Sequence, residues 1–231
     1  PNDQVVDYKT VLIMPYEGNP CYFNRAYYPE NHGDNVHPFR FSDIKLVGYR
    51  SIDSESNTLH YGVKIYDTPD FHVDHCWFEH VPVSPICVIG PRTHGVIDHC
   101  RIFNIYAEAL EPYTSGNVGY GIEIYQQRSA WESDPYKVLG QYTEYSTYIE
   151  DCYLSKFRHC VSSSTGAHYV FRHNTIKDDF GYGSIDGHGG TPGTRALEAY
   201  SNEFLDCLHL HTQTAINHRG GAGIYFTNYV T

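Results

Sequence analysis

The densest run of side chains able to do chemistry is Asp178-Asp179-Phe180-Gly181-Tyr182-Gly183-Ser184-Ile185-Asp186-Gly187-His188-Gly189-Gly190. Arg195 and Glu198 follow it closely, and Arg219 lies about one repeat further on. Carboxylates, an imidazole and guanidinium groups sharing one groove supply a general acid, a general base and charge stabilisation. With Ile185 facing inward, Asp186 points outward, and Gly187 lets the backbone turn without a side chain in the way. Removal of a proton by His188 or Arg219 beside a cation would support β-elimination from a uronate. A suitably spaced pair drawn from Asp178, Asp179, Asp186 and Glu198 would instead support hydrolysis. A purely structural alternative is a turn network, in which Asp186 pairs with Arg195 and His188 caps a loop.

A second set is a row of acids. Asp74, Asp98 and Glu150 occupy the same place in a recurring six-residue pattern, and Arg172 stands there next. Three carboxylates stacked on one sheet face repel unless they are screened or bridged. A hard cation such as calcium would bridge them; alternatively, Arg172 satisfies Glu150 or contacts a substrate. Seven cysteines form the third set, an odd number that cannot all pair within one chain. Cys76, Cys100 and Cys152 fall in one ladder, whereas Cys87 and Cys160 belong to a different strand. Ladder positions point the same way, while zinc needs ligands that converge, so buried free thiols are the expectation, ahead of a disulfide or a metal.

These residues must be positioned by a repeat. The pattern of an apolar residue, two polar or small residues, Cys or Asn, any residue and an apolar residue occurs at Val73–Phe78 and Ile97–Ile102. It returns around Cys152, Asn174, Asn202 and Asn228, with a degenerate copy at Phe41–Leu46. The key positions are about 24, 52, 22, 28 and 26 residues apart. Between them lie second strand-like runs at Val63–Ile65, Ile86–Val88, Ile122–Ile124, Cys160–Ser162, Ser184–Asp186 and Ala215–Asn217. Only one such run falls inside the longest interval, so that interval reads as one coil carrying an insertion near residues 125–145. Trp131 and Tyr136 in this insertion offer rings for stacking on sugar faces, or for packing the loop on the flank. Short strands at this period, with no helical pattern between them, describe an all-β solenoid that stacks coil on coil. Asn or Cys at the key slot then forms an interior ladder.

Composition agrees and sets limits. The 231 residues include 22 Tyr, 20 Gly and 12 Pro but a single Met, which favours strands over helices. Sixteen Lys and Arg against 27 Asp and Glu give a net charge of −11, which argues against nucleic acid as a general partner. No stretch approaches the roughly 18 apolar residues of a membrane-spanning helix.

Residues 38–231 resemble a right-handed parallel β-helix of the pectate-lyase-like class. The strand–Asn–turn signature is visible in Tyr169-Val170-Phe171-Arg172-His173-Asn174-Thr175-Ile176. Pro38-Phe39-Arg40-Phe41, Gly95 to Cys100, Asp186-Gly187-His188-Gly189 with Thr194-Arg195, and Arg219-Gly220-Gly221 also resemble secreted β-helix proteins of unassigned activity. The resemblance implies about seven coils at the ~4.8 Å ladder spacing, with residues 1–38 as an irregular N-terminal cap and 39–231 as the body. It also implies an extracellular or cell-surface setting, and calcium at Asp74, Asp98 and Glu150, since pectate lyases use acids on a strand face that way. The architecture hosts lyases, hydrolases, adhesins and inert surface proteins. The functional expectation is therefore polysaccharide binding, with cleavage at Asp186, His188, Arg195, Glu198 and Arg219 and substrate contacts from Trp131, Tyr136 and Arg172. The competing expectation is a non-catalytic surface or filament protein. Gly223–Val230 reads as one more internal strand, with Asn228 in the ladder, so self-association through this last coil is also expected.

Overall fold

In a computed structural model of the chain, the residues described are 10–13, 21–24, 39–48, 61–81, 83–90, 93–104, 119–126, 146–157, 159–177, 185–187, 194, 196–205 and 224–226. Among them every regular element is a strand. The first sheet contains β1 (Thr10–Ile13), β4 (Ile44–Val47), β7 (Trp77–Glu79), β10 (Arg101–Phe103), β13 (Tyr153–Ser155), β16 (Thr175–Lys177) and β19 (Glu203–Leu205), in that order. The second contains β2 (Cys21–Asn24), β5 (Tyr61–Tyr66), β8 (Ser84–Ile89), β11 (Tyr120–Tyr125), β14 (His159–Ser164), β17 (Ile185–Gly187) and β20 (Ile224–Phe226). The third contains β3 (Phe39–Ser42), β6 (Phe71–Asp74), β9 (Gly95–Asp98), β12 (Thr147–Glu150), β15 (His168–Arg172) and β18 (Ala196–Tyr200). Each strand pairs in parallel with the strand three places later in the chain, for example β6 with β9 and β9 with β12. The chain thus visits the three sheets in rotation, a winding compatible with a parallel β-helix. The direct pairing of β9 with β12 means that the long interval between Cys100 and Cys152 is crossed in a single turn.

The junction between third and first sheets explains the repeat. Asp43, His75, His99, Asp151, His173 and Ser201 all lie in the left-handed region, with φ between 49° and 58°. Asp, Asn and His are among the non-glycine residues most often found there, which is why the pattern demands a small or polar pair before the ladder slot. The slot residue then ties consecutive coils together. Asn174 Nδ2 donates to the Ile149 carbonyl at 2.9 Å, and Asn202 Nδ2 donates to the Phe171 carbonyl at 2.8 Å. The cysteines repeat the gesture with a thiol: Cys76 to Phe41, Cys100 to Val73 and Cys152 to Ile97, at 3.5, 3.6 and 3.7 Å. Those acceptors are themselves paired, Phe41 opposite Val73 opposite Ile97 opposite Ile149 opposite Phe171. Cysteine therefore substitutes for asparagine as a weak donor as well as a space-filler. Cys76, Cys87, Cys100 and Cys152 are buried free thiols, and Cys160 is buried as well.

Between the sheets lies one core of stacked aliphatic and aromatic rows, including Val63, Ile86, Ile122, Val161 and Ile185 from the second sheet. The coils approach closely: a Cβ on Gly121 would sit 2.5 Å from the Cys160 carbonyl oxygen in the next strand. Only glycine fits that contact.

The last coil departs from the expectation. The strand following β17 in the second sheet is Ile224–Phe226, with Ile185 opposite Ile224 and Asp186 opposite Tyr225. The segment expected to supply the Asn228 ladder slot thus begins as a second-sheet strand, and the run Ala215–Asn217 lies outside the described residues, as does Asn228 itself. Both runs carry the same apolar alternation, so pattern alone does not rank them. Within residues 1–38, β1 and β2 already pair with β4 and β5. Neither has the Cys or Asn slot by which the other coils were recognised.

Candidate functional site

Strand alternation gives the third sheet an outer face built of two rows. One runs Ser42, Asp74, Asp98, Glu150, Arg172, Tyr200, and the other Arg40, His72, Val96, Tyr148, Val170, Glu198. The expected acidic row is therefore present, with Arg172 next in line. Arg40 grips Asp74 with two parallel hydrogen bonds, Nε to Oδ1 at 2.8 Å and NH2 to Oδ2 at 2.7 Å. That contact, aided by a hydrogen bond from His75, holds the Asp74 carboxyl at about 2 against the opposing effect of burial. Arg172 hydrogen-bonds Tyr200 and Glu150, and both contacts push its guanidinium still further from deprotonation. It also lies over the Tyr148 ring, 5.2 Å from the centroid.

The set that converges differs from the one expected. His72 Nε2 is 2.8 Å from Asp98 Oδ1, and ligand atoms of His72, Asp74 and Asp98 all lie within 4.8 Å of one another. Glu150 is engaged by Arg172 instead. His75 and His99 flank the group: each ring Nδ1 meets the carboxylate of the preceding aspartate, at 2.9 and 3.1 Å, and the two rings stack 5.0 Å apart. His72 and Arg40 were the signals missed. Both stand two residues before a row position, where strand alternation puts them on the same face.

The second sheet carries a different arrangement on the face away from the core. Its row runs Lys64, Cys87, Glu123, Ser162, Asp186, Tyr225. Asp186 does stand beside Ser162 as expected, but its next neighbour is Tyr225 rather than Asn217. It is also enclosed: Asp186, Glu123 and Ser162 are each 1% exposed. His159 Nε2 lies 3.4 Å from Asp186 Oδ2 and its ring stacks on Tyr120. Tyr125 donates its hydroxyl proton to Glu123 Oε1 at 2.5 Å. Burial and the Glu123 charge push the Tyr125 and Tyr61 hydroxyls up, and burial with the same charge pushes up the Cys87 thiol. Cys87 is thereby held as an unreactive thiol.

Of the remaining expected residues, Glu198 stands exposed on β18 opposite Val170, on a different sheet from Asp186, so the structure does not bring these two together. His188, Arg195, Arg219, Trp131 and Tyr136 lie outside the described residues. Glu123 and His159 were overlooked. Following the register upward from Asp186 through Ser162 leads to Glu123, but that register is set by an insertion-bearing coil whose length hides it. No known protein family, no curated protein and no solved structure matches the chain.

Proposed function

We propose that the chain is an extracellular polysaccharide-binding protein, a right-handed parallel β-helix of the pectate-lyase-like class with about seven coils. In this reading the glycan lies along the outer face of the third sheet. The observation that carries it is the continuous row from Asp74 to Tyr200, which offers charged and aromatic groups at one strand spacing per coil. Arg172 and Arg40 keep guanidinium N–H groups beyond those that hold Glu150, Tyr200 and Asp74, and these suit the carboxylates of an acidic glycan. Tyr148 and Tyr200 suit the apolar faces of sugar rings, and Tyr200 is 43% exposed. The −11 net charge opposes an acidic glycan over most of the surface, so the arginines carry the recognition.

Hydrolysis would use Glu123 and Asp186, which sit in one row on either side of Ser162; both are enclosed, so a glycan reaches them only when that face is uncovered.

The test is a panel of acidic and neutral polysaccharides, with and without calcium, scored for binding and for products. Binding that weakens on Arg172→Ala supports the third-sheet face. New reducing ends lost in Glu123→Gln or Asp186→Asn support hydrolysis, and unsaturated products support elimination. Neither binding nor products would favour the non-catalytic surface or filament protein.

A further inference from the structure

We propose that His72, Asp74 and Asp98 form a binding site for a zinc-class divalent transition metal. The site does not depend on the glycan reading. Alternation along β6 puts residues 72 and 74 on the same face, and parallel pairing puts Asp98 directly opposite Asp74. Three ligand groups are thus delivered by two adjacent strands, with ligand atoms within 4.8 Å of one another.

The donor set selects the metal. Calcium and magnesium take oxygen ligands almost exclusively, whereas one imidazole nitrogen with two carboxylate oxygens suits zinc and its neighbours. Three protein ligands with a further position open is the pattern of a zinc site that can also bind water or substrate. His72 Nε2 and Asp98 Oδ1, now 2.8 Å apart, share the proton that the metal would replace. His75 Nδ1 lies 2.9 Å from Asp74 Oδ2, and His99 Nδ1 lies 3.1 Å from Asp98 Oδ2. These are the outer hydrogen bonds that orient ligating carboxylates. The ring stack of His75 on His99 fixes both at once.

Arg40 is the opposing group. It holds both Asp74 oxygens, but a carboxylate has about four acceptor positions, so ligation and the guanidinium contact coexist. Its positive charge still weakens a cation beside it. Its side chain is 61% exposed while Asp74 is buried, and Gln in its place still offers the carboxylate a hydrogen-bond donor without the charge.

Titration of the purified chain with Zn²⁺ by calorimetry, and with Co²⁺ by visible absorption, tests the site. One Zn²⁺ per chain is expected at this site, with affinity at least about tenfold lower in His72→Gln and in Asp98→Asn, and about tenfold lower in His99→Ala. Arg40→Gln should bind more tightly than the native chain. Circular dichroism of each variant verifies that the strands persist, and the use of two separate ligand variants guards against loss of either. Zn²⁺ uptake unchanged in both ligand variants would overturn the proposal, as would Arg40→Gln binding more weakly or Ca²⁺ competing at equal concentration.

Discussion

Asn174 is joined to both of its neighbouring coils. Its side chain accepts from the Cys152 amide at 3.0 Å and donates to the Ile149 carbonyl, and its own amide donates to Asn202 Oδ1. Asn174→Ala strands one buried donor and one buried acceptor, so a loss of about 2–4 kcal/mol is expected in urea unfolding. Asn174→Cys should lose less, because a thiol already makes the carbonyl contact in three coils. The Arg40–Asp74 pair sets an acid limit. The Asp74 carboxyl is lowered from 3.8 to about 2 on folding. Its contribution is therefore complete above about pH 4 and is lost as pH falls toward 2. Stability measured across that range should fall more steeply for the native chain than for Asp74→Asn. At this scale the sequence was informative where a row repeats the same residue type, as with Asp74 and Asp98. It was silent on His72, whose role comes from a neighbour two positions away and a partner 26 residues on.

Strand identity was legible wherever an apolar run alternated next to a turn pair. Val63–Ile65, Ile86–Val88, Ile122–Ile124 and Cys160–Ser162 all lie within strands of the second sheet. What alternation could not show is that this sheet is enclosed on both faces, as the fully buried Ser84–Ile89 strand demonstrates. A sheet buried on both sides reads as a continuous apolar run, and Glu123 inside such a run looks like an ordinary outward residue. The spacing between coils depends on small residues at pinch points. Gly121→Ala should force Cβ into the backbone of the next strand, which cannot rotate away, and destabilise by about 1–3 kcal/mol. The shift in urea midpoint reads this directly. An unchanged midpoint would mean that the β11–β14 spacing is looser than the structure shows.

Among the described residues, the core cysteines are closed to reagents. Cys76, Cys87, Cys100, Cys152 and Cys160 are buried, and burial with contacts to its two sulfur neighbours pushes the Cys100 thiol up. Native protein treated with a thiol reagent should leave these five unmodified by peptide mapping, and denatured protein should label all five. The repeat made two strand-bearing segments per turn readable, whereas the left-handed residue that splits the six-residue pattern between two sheets, and so makes three sheets in all, came from the structure. The last coil was not readable, since Tyr225 opposite Asp186 belongs to a run that fits two sheets equally well.

Successive turns stack in parallel, placing Glu150 opposite Arg172 and Arg172 opposite Tyr200 on a single face. Cysteines placed pairwise at these positions measure that stacking. Directly opposed strand residues, ~4.8 Å apart, lie within reach of a disulfide, whereas residues two strands apart, ~9.6 Å, do not. Under mild oxidation, Glu150→Cys with Arg172→Cys is expected to form the 150–172 bond in high yield by peptide mapping, and Glu150→Cys with Tyr200→Cys is expected to form none. Equal yields in the two variants, or a bond only between 150 and 200, would contradict the stacking and with it the face on which the functional reading depends.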